Sequence, residues 1–559
     1  MINLRKKYIA SVVLLATSSI MASAATVPQQ PNILLVVADD LGYSDLGSFG
    51  GEIKTPNLDS LAESGVKLTN FHTAPACSPT RAALITGVDP HIAGLGNMAE
   101  LLAPNQKGEP GYEGHINSKV VTVAEILKDA GYRTYYTGKW HLGMSKDSNP
   151  QTRGFDNSFA LLSGGASHFS DMKPAYAPTP EVKAPYTDDG VMIKKLPESF
   201  QYSSQYYSDK LISYLKENQH SEQPFFAMLN FTAPHWPLQA PDEAIAKYKG
   251  VYDAGYDVLY KQRLAAQKKL GILPKNAEGA ERPPKGMAWE NLTPEQRKTE
   301  SKAMEVYAAM VDEMDVYTGK VIDYLKDSGQ YSNTLIVFIS DNGPEGHDID
   351  EVFSSELYPK IRHVIDSTND FSYEQMGRPG SYTFLGPNWA WASSPAFRMH
   401  KGFPTEGGTR SVAIVKMPNT KGEGRIVDSY ANVVDLAPTI LEFANVSAPK
   451  GSYKGKKVEE MSGQSFLPVL TDRATGEDDR IVGGELFGKY FVRKGDWKLV
   501  LMPTPWGTGE EQLYDLSSDL AEKYDLSKKY PEVLVEMKTY WKEYVAKNNV
   551  ILPDWVDGY

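Results

Sequence analysis

The sequence predicts an α/β fold: a large central, mostly parallel sheet flanked by helices, then a smaller C-terminal antiparallel sheet with one helix. Three observations predict it. Unbroken apolar runs at 32–38, 133–137, 224–232 and 334–340 read as strands buried on both faces, the mark of a parallel sheet. Helical patterns lie between them, and that alternation makes the strands parallel neighbours. The last hundred residues instead alternate apolar and polar positions with hairpin-like breaks.

The elements follow in order. Arg5, Lys6 and Lys7, the mainly apolar stretch Ile9 to Ile20, and Ala22-Ser23-Ala24 mark residues 1–24 as a secretory signal peptide, cleaved before Ala25. No later run of eighteen apolar residues follows, so the mature chain is expected to be free of the membrane and periplasmic or secreted. About 530 mature residues exceed one small core and divide into a large α/β domain at 25–450 and a C-terminal α+β subdomain at 451–559. The formal net charge of −12 argues against a nucleic-acid partner. It leaves an anionic substrate open, because local cations outweigh a global sign.

The strand Asn32 to Ala38 ends in Asp39-Asp40-Leu41-Gly42. Adjacent carboxylates call for a compensating cation, and oxygen ligands favour Ca²⁺ or Mg²⁺ over zinc. Taken alone, the same four residues read better as a solvated turn. Thr55-Pro56-Asn57 opens a short helix ending near Gly65, and 66–71 forms a strand leading toward Cys77. Cys77 is the one cysteine of 559 residues, so it forms no internal disulfide, and an unpaired cysteine in an exported chain stands out. Ser78 is read as an N-cap and Pro79 as the first helical position. A thiol there faces free N–H groups and the positive end of a helix dipole, which lowers its pKa and suits an anion. Arg81 adds a cation within one turn. The alternative is a small buried hydrophobe.

A capping box (Thr122, Glu125) opens a helix that stops at Gly131. The strand 133–137 runs into Gly138-Lys139-Trp140-His141-Leu142-Gly143, where Lys139 and His141 share a face if the segment is extended. A Lys-x-His alone is more often ordinary loop. Residues 205–216 form a helix, and 224–232 a strand carrying Ala233-Pro234-His235-Trp236-Pro237, whose prolines hold His235 rigidly, in a site or in a mere turn. Residues 250–290, rich in Lys, Pro and Gly, read as a surface insertion. A helix with cap Thr293 and Pro294 at its first position runs, with breaks, toward Asp327. The strand 334–340 ends in Asp341-Asn342-Gly343-Pro344. Residues 346–395 show little regular pattern and close in Asn388-Trp389-Ala390-Trp391. Arg398-Met399-His400-Lys401-Gly402 precedes the strand 411–417, and 435–445 is an amphipathic helix. Turns at Gly488 and Lys494-Gly495, a short strand at 512–516 and a helix at 532–547 complete the chain.

Four apolar runs thus end in Asp39-Asp40, in Lys139 and His141, in His235, and in Asp341-Asn342. Ligands of open α/β sheets collect at the carboxyl ends of parallel strands, so these ends point to one shared site.

Cys77-Ser78-Pro79-Thr80-Arg81 followed by Ala82-Ala83-Leu84-Ile85-Thr86-Gly87 resembles the signature of the type I, formylglycine-dependent sulfatases, arylsulfatase-like members of the alkaline phosphatase superfamily. The other segments match in order from about Asn32 onward, Tyr514-Asp515-Leu516 resembling the family's C-terminal domain. The resemblance implies an alkaline phosphatase-like fold and hydrolysis of sulfate esters, aryl sulfates foremost, by formylglycine made from Cys77. It implies one divalent cation per chain, Ca²⁺ with Mg²⁺ as the alternative, held by Asp39, Asp40, Asp341, Asn342 and residue 77. Cys77, Arg81, Lys139, His141, His235 and Lys401 match the catalytic positions. Asp341 then accepts the nucleophile's proton, Lys139 and Lys401 hold sulfate oxygens, His235, alone or with Lys401, protonates the leaving alcohol, and His141 takes the proton that regenerates the aldehyde. Implied partners are a small-molecule or saccharide sulfate ester and a formylglycine-generating maturation enzyme. Carbohydrate sulfatase and phosphate or phosphonate monoester hydrolase are the neighbouring readings; a non-catalytic anion binder and an unmodified thiol enzyme are the distant ones. Trp236, Trp389 and Trp391 either line an aromatic substrate pocket or serve packing.

Overall fold

The computed structural model describes residues 30–356, 358–419, 424–471 and 479–554; the expected signal peptide and its cleavage point lie outside them. Ten strands build the main sheet: β1 (Asn32–Ala38), β2 (Val66–Leu68), β3 (Arg133–Lys139), β4 (Asn157–Leu161), β5 (Tyr186–Asp188), β6 (Val191–Met192), β7 (Phe225–Asn230), β8 (Thr334–Ser340), β9 (Ala413–Lys416) and β10 (Arg425–Val427). Their order is β10-β2-β9-β8-β1-β7-β3-β4-β5-β6. The central block β8-β1-β7-β3-β4 is parallel throughout, so the four site-bearing strands are neighbours as expected. β9 lies antiparallel on β8, and β5 on β4.

Alternation between two covered faces explains why the central strands are mostly apolar. Leu34, Val36, Ile336 and Phe338 face a core shared with the helices Ser203–Glu217 and Pro294–Asp327. Ile33, Leu35, Val37, Leu335 and Val337 face a second core shared with Cys77–Thr86, Val123–Asp129 and Leu436–Phe443. Both faces are covered, and the few polar side chains inside the block, such as Thr134 and Thr137 of β3, are buried with the rest. The Thr122–Glu125 capping box forms as read, and the helix capped by Thr293 runs unbroken for 34 residues to Asp327. The expected strand 66–71 is two pieces: β2 in the main sheet, and Phe71–His72 paired with Ala431–Asn432.

The expected surface insertion at 250–290 is largely exposed or half-buried, and it also anchors the turn that carries Asp39-Asp40. It contains the helix Tyr256–Leu270, whose Arg263 is 1% exposed and pairs with Asp45 and, at 2.8 Å, with Glu52. Asp45 in turn accepts the backbone N–H of Gly42 at 2.7 Å and the Tyr307 hydroxyl at 2.6 Å. A Cβ on Gly42 would stand 2.4 Å from that carboxylate and 2.5 Å from the Ser393 side chain, so only glycine lets the turn after Asp39-Asp40 close. Arg263→Ala leaves buried Asp45 uncompensated and is expected to destabilise the fold by about 3–5 kcal/mol, read from urea midpoints. A loss below about 1 kcal/mol would contradict this anchoring role.

The C-terminal sheet is antiparallel, β11 (Ile481–Leu486), β12 (Lys489–Lys494), β13 (Trp497–Leu501) and β14 (Gln512–Asp515), with the helix Pro531–Asn548 against it. Its turns fall at the predicted glycines 488 and 495, both at positive φ. Buried His91 joins the helix Pro90–Ala93 to β11, lying 3.0 Å from Asp89 and 3.5 Å from Glu485. Burial pulls its pKa down, but the two carboxylates win and raise it to about 9. A raised pKa contributes stability that is complete below the unfolded value and lost as pH rises through about 9. The urea midpoint should therefore fall between about pH 7 and about pH 10 in the wild type and fall less in His91→Gln. Equal falls in both proteins would refute it.

Candidate active site

Register brings the strand ends level. Ala38 pairs with Ser340, so Asp39 and Asp341 leave the same edge together. Asn230 pairs with both Val37 and Gly138, which sets Lys139 and the His235 segment beside them. Gly138 is required there: at φ 103° its Cβ would lie 1.7 Å from the Asn230 carbonyl oxygen. Every site residue named from the sequence is buried in this one place.

The site is a lattice of opposite charges. Lys139 Nζ lies 2.7 Å from Asp39 Oδ2, and Lys401 Nζ lies 3.0 Å from Asp40 Oδ2. Arg81 grips Asp341 Oδ2 through Nε at 2.9 Å and Nη2 at 2.8 Å, and Nη1 donates to the Lys139 carbonyl. Asn342 Nδ2 donates to Asp40 Oδ1 at 2.7 Å. Burial, opposed by Lys139 and reinforced by Asp341 and Asp40, pushes Asp39 up to about 8. Burial works on Asp341 as well, but Arg81, Lys139 and Lys401 hold it below the usual carboxylate range. Asp40 adopts φ 66°, the left-handed region, which turns its carboxylate back into the site.

The donor set fits a hard cation. Asp39 Oδ1 and Asn342 Oδ1 are buried acceptors with no hydrogen-bond partner among the described residues, a costly state that a divalent ion relieves. Ligand atoms of Asp39, Asp40, Cys77 and His235 all lie within 4.8 Å of one another.

Cys77 opens the helix Cys77–Thr86, with Ala76 at the N-cap. This corrects the expected cap: Ser78 and Pro79 sit inside the first turn, and Cys77 itself is the first helical residue. The expected lowered thiol pKa is corrected too. Burial pushes the thiol well up, and neighbouring Asp39 and Asp341 add to it against Lys139 and Lys401. Helix-end attraction is the weaker effect in a dry site lined by carboxylates.

His235 Nδ1 donates to the Trp236 carbonyl at 2.6 Å, leaving Nε2 to face Asp40 Oδ2 at 3.7 Å. Burial, then Lys401 and Lys139, keep this ring neutral. His141 does not share an extended face with Lys139: its φ is 57°, and the turned backbone carries the ring to Glu100, 3.0 Å from Nε2. Glu100 and Glu345 escaped the sequence reading. Glu345 lies 3.3 Å from Lys401 and 2.6 Å from His347. It lies three residues past Asn342, and only that adjacency hinted at it. Glu100 comes from a 3₁₀ turn, Ala99–Leu101, with no motif around it.

Above Cys77, His141, His235 and Lys401 opens a pocket of about 80 Å³ walled by Met98, Leu101, Tyr176, Trp236, Val352, Phe353, Tyr358 and Ile361. Much of that wall comes from 346–395, where the weakly patterned stretch holds the helices Ile349–Val352 and Pro359–Thr368. Of the three tryptophans, Trp236 alone lines the pocket. Trp389 is fully buried in the core, and Trp391 stacks on Tyr260 at 3.8 Å.

The sulfatase family model matches residues 31–446, the span that carries all of these groups. The chain belongs to the sulfatase family. It is 44% identical to an uncharacterized sulfatase of Schizosaccharomyces pombe over 94% of this chain and 95% of that one. It is 40% identical to the arylsulfatase of Klebsiella aerogenes, over 81% and 95%. This sulfatase is therefore a sulfuric ester hydrolase. Its fold is similar to that of Ps i-CgsB in complex with k-i-k-neocarrahexaose, with TM-score 0.66, 24% identity and 95% of each chain covered. It is also similar to the phosphonate monoester hydrolase of Agrobacterium radiobacter, with TM-score 0.54, 16% identity and coverage of 93% and 96%.

Proposed function

We propose that this sulfatase hydrolyses aryl sulfate monoesters to a phenol and inorganic sulfate, using formylglycine derived from Cys77 and one Ca²⁺ ion, with Mg²⁺ as the alternative. The observation that carries the aryl reading is the pocket directly above Cys77: apart from the catalytic groups and Glu100, its walls are aliphatic and aromatic, which suits a flat apolar leaving group. Asp39, Asp40, Asp341, Asn342 and residue 77 would hold the cation, which supplies positive charge against the sulfate and the nucleophile. The aldehyde, as its hydrate, supplies one hydroxyl to attack sulfur and a second whose deprotonation restores the carbonyl. Lys139 and Lys401, charged and fixed by carboxylates, bind sulfate oxygens and stabilise the charge that grows on them. Asp341, kept ionised by Arg81, would accept the nucleophile's proton. His235, its ring held by Trp236, faces the departing phenol oxygen with Nε2; because its neutral ring keeps its one hydrogen on Nδ1, the charged Lys401 beside it supplies the proton that the phenol takes. His141 takes the last proton as sulfate leaves. We place the mature chain in the periplasm or outside the cell, from the basic, apolar and small-residue sequence of 1–24.

The deciding experiment is the mass of the proteolytic peptide containing residue 77, from protein purified out of its native host, paired with turnover of a nitrophenyl sulfate and a monosaccharide sulfate. The expected result is the aldehyde mass and faster turnover of the aryl ester. An unmodified thiol in fully active protein would overturn the nucleophile, and faster turnover of the sugar would overturn the aryl preference.

A further inference from the structure

We propose that Glu100 is the positioning residue of His141: it dictates which ring nitrogen is free to take a proton and steadies the imidazolium that results. Glu100 Oε1 lies 3.0 Å from His141 Nε2. His141 Nδ1 is buried and has no hydrogen-bond partner among the described residues. An ionised carboxylate only accepts, so Nε2 carries the hydrogen of the neutral ring and Nδ1 presents its lone pair. Glu100 is held ionised: burial pulls it up, but His141 and the Tyr176 hydroxyl bring it down to about 2. Its side chain is 24% exposed, at the pocket it lines together with His141 and Cys77.

The ring has little freedom to choose otherwise. His141 sits at φ 57°, a costly conformation for a non-glycine residue. A Cβ on Gly164 would stand 2.8 Å from its Cε1 and 2.9 Å from its Nε2, so backbone closes that side of the ring. Burial, Lys139 and Arg81 all disfavour a charged imidazole here, and Glu100 is the group that favours it. A base in such surroundings needs a partner carboxylate to accept a proton readily, the role a buried aspartate plays for a triad histidine.

The kinetic consequence rests on the proposed function, in which His141 serves only the second half of turnover. The proton moves from the second hydroxyl to Nδ1, the carbonyl forms, and the bond from carbon to the sulfate oxygen breaks. In Glu100→Gln the amide oxygen still accepts from Nε2–H but the charge is gone. The expected result is a kcat lowered by about 10²-fold, a KM lowered in parallel, kcat/KM unchanged within about threefold, and a burst of one phenol per active site. A role in pocket shape alone would lower kcat/KM and give no burst, and that outcome overturns the proposal. A second measurement needs neither the aldehyde nor turnover: the nitrogen-15 shifts of the His141 ring in protein with unmodified Cys77. Wild type and Glu100→Gln should show the Nε2–H tautomer, and Glu100→Ala a mixture. An unchanged tautomer in Glu100→Ala overturns the proposal. If native enzyme releases no phenol from aryl sulfates, the functional reading fails while the ring shifts still decide the part played by Glu100.

Discussion

Cys77→Ala is expected to give a folded protein without measurable sulfate-ester hydrolysis. Side chain 77 lies beneath the pocket, its sulfur within 4.8 Å of ligand atoms of Asp39, Asp40 and His235. Losing a nucleophile costs about 10⁴- to 10⁶-fold in kcat where the rest of the site survives, the remainder coming from binding and charge stabilisation. The fold should tolerate the change. Alanine is a good helix former at the start of Cys77–Thr86, and the Sγ contact to Asp40, 3.9 Å, is weak. Turnover of a nitrophenyl sulfate and the thermal midpoint check the two halves of this expectation. Residual kcat within tenfold of wild type would show that residue 77 is not the nucleophile.

Exhaustive chelation should be nearly as severe. Asp39, Asp40 and Asp341 converge beside Asn342, while Lys139 and Arg81 each serve one of them and Lys401 is shared between Asp40 and Glu345. Among the described residues the acceptor oxygens Asp39 Oδ1 and Asn342 Oδ1 have no hydrogen-bond partner, and a divalent ion answers both. Without it the carboxylates face one another in a dry site, and Lys139 and Lys401 are drawn toward them and away from sulfate. A fall in kcat of at least about 10³-fold and a lower thermal midpoint are expected, with Ca²⁺ restoring both at lower concentration than Mg²⁺. Calcium accepts an irregular oxygen set that magnesium, with its stricter octahedron, does not. Activity that survives chelation, with no ion found by elemental analysis, would refute the metal reading.

How much of this was legible depended on distance along the chain. The strand ends were readable because buried parallel strands are mostly apolar, so Asp39, Lys139, His235 and Asp341 stand out where the runs stop. The Cys77 segment carried its own motif. Glu100 and Glu345 were not readable, because a carboxylate in a loop takes its meaning from the imidazole or ammonium it meets, and that meeting is made by tertiary structure. The direction of the Cys77 thiol shift was missed for a related reason: the local helix end was visible, the burial and the surrounding carboxylates were not. Residues 250–290 looked like insertion because their composition is polar, yet a single buried guanidinium, Arg263, ties them to the turn after Asp40. Trp389 and Trp391 show the converse, conspicuous side chains whose task is packing.

The C-terminal sheet reaches into the loop that carries Lys401. Lys489 donates to the Gly402 carbonyl, Tyr514 accepts from Arg398, and Lys498 bridges Glu406 and Glu522. Glu522 also accepts the backbone N–H of Glu406 at 2.8 Å. For a chain made from its N-terminus, this sets an order of completion. A polypeptide halted after residue 470 already contains every side chain to which we assign a catalytic or metal-binding role, yet the segment that delivers Lys401 waits for struts that have not been synthesised. Premature stop codons late in the gene should therefore behave as null alleles, although the reading frame for the whole catalytic apparatus is intact.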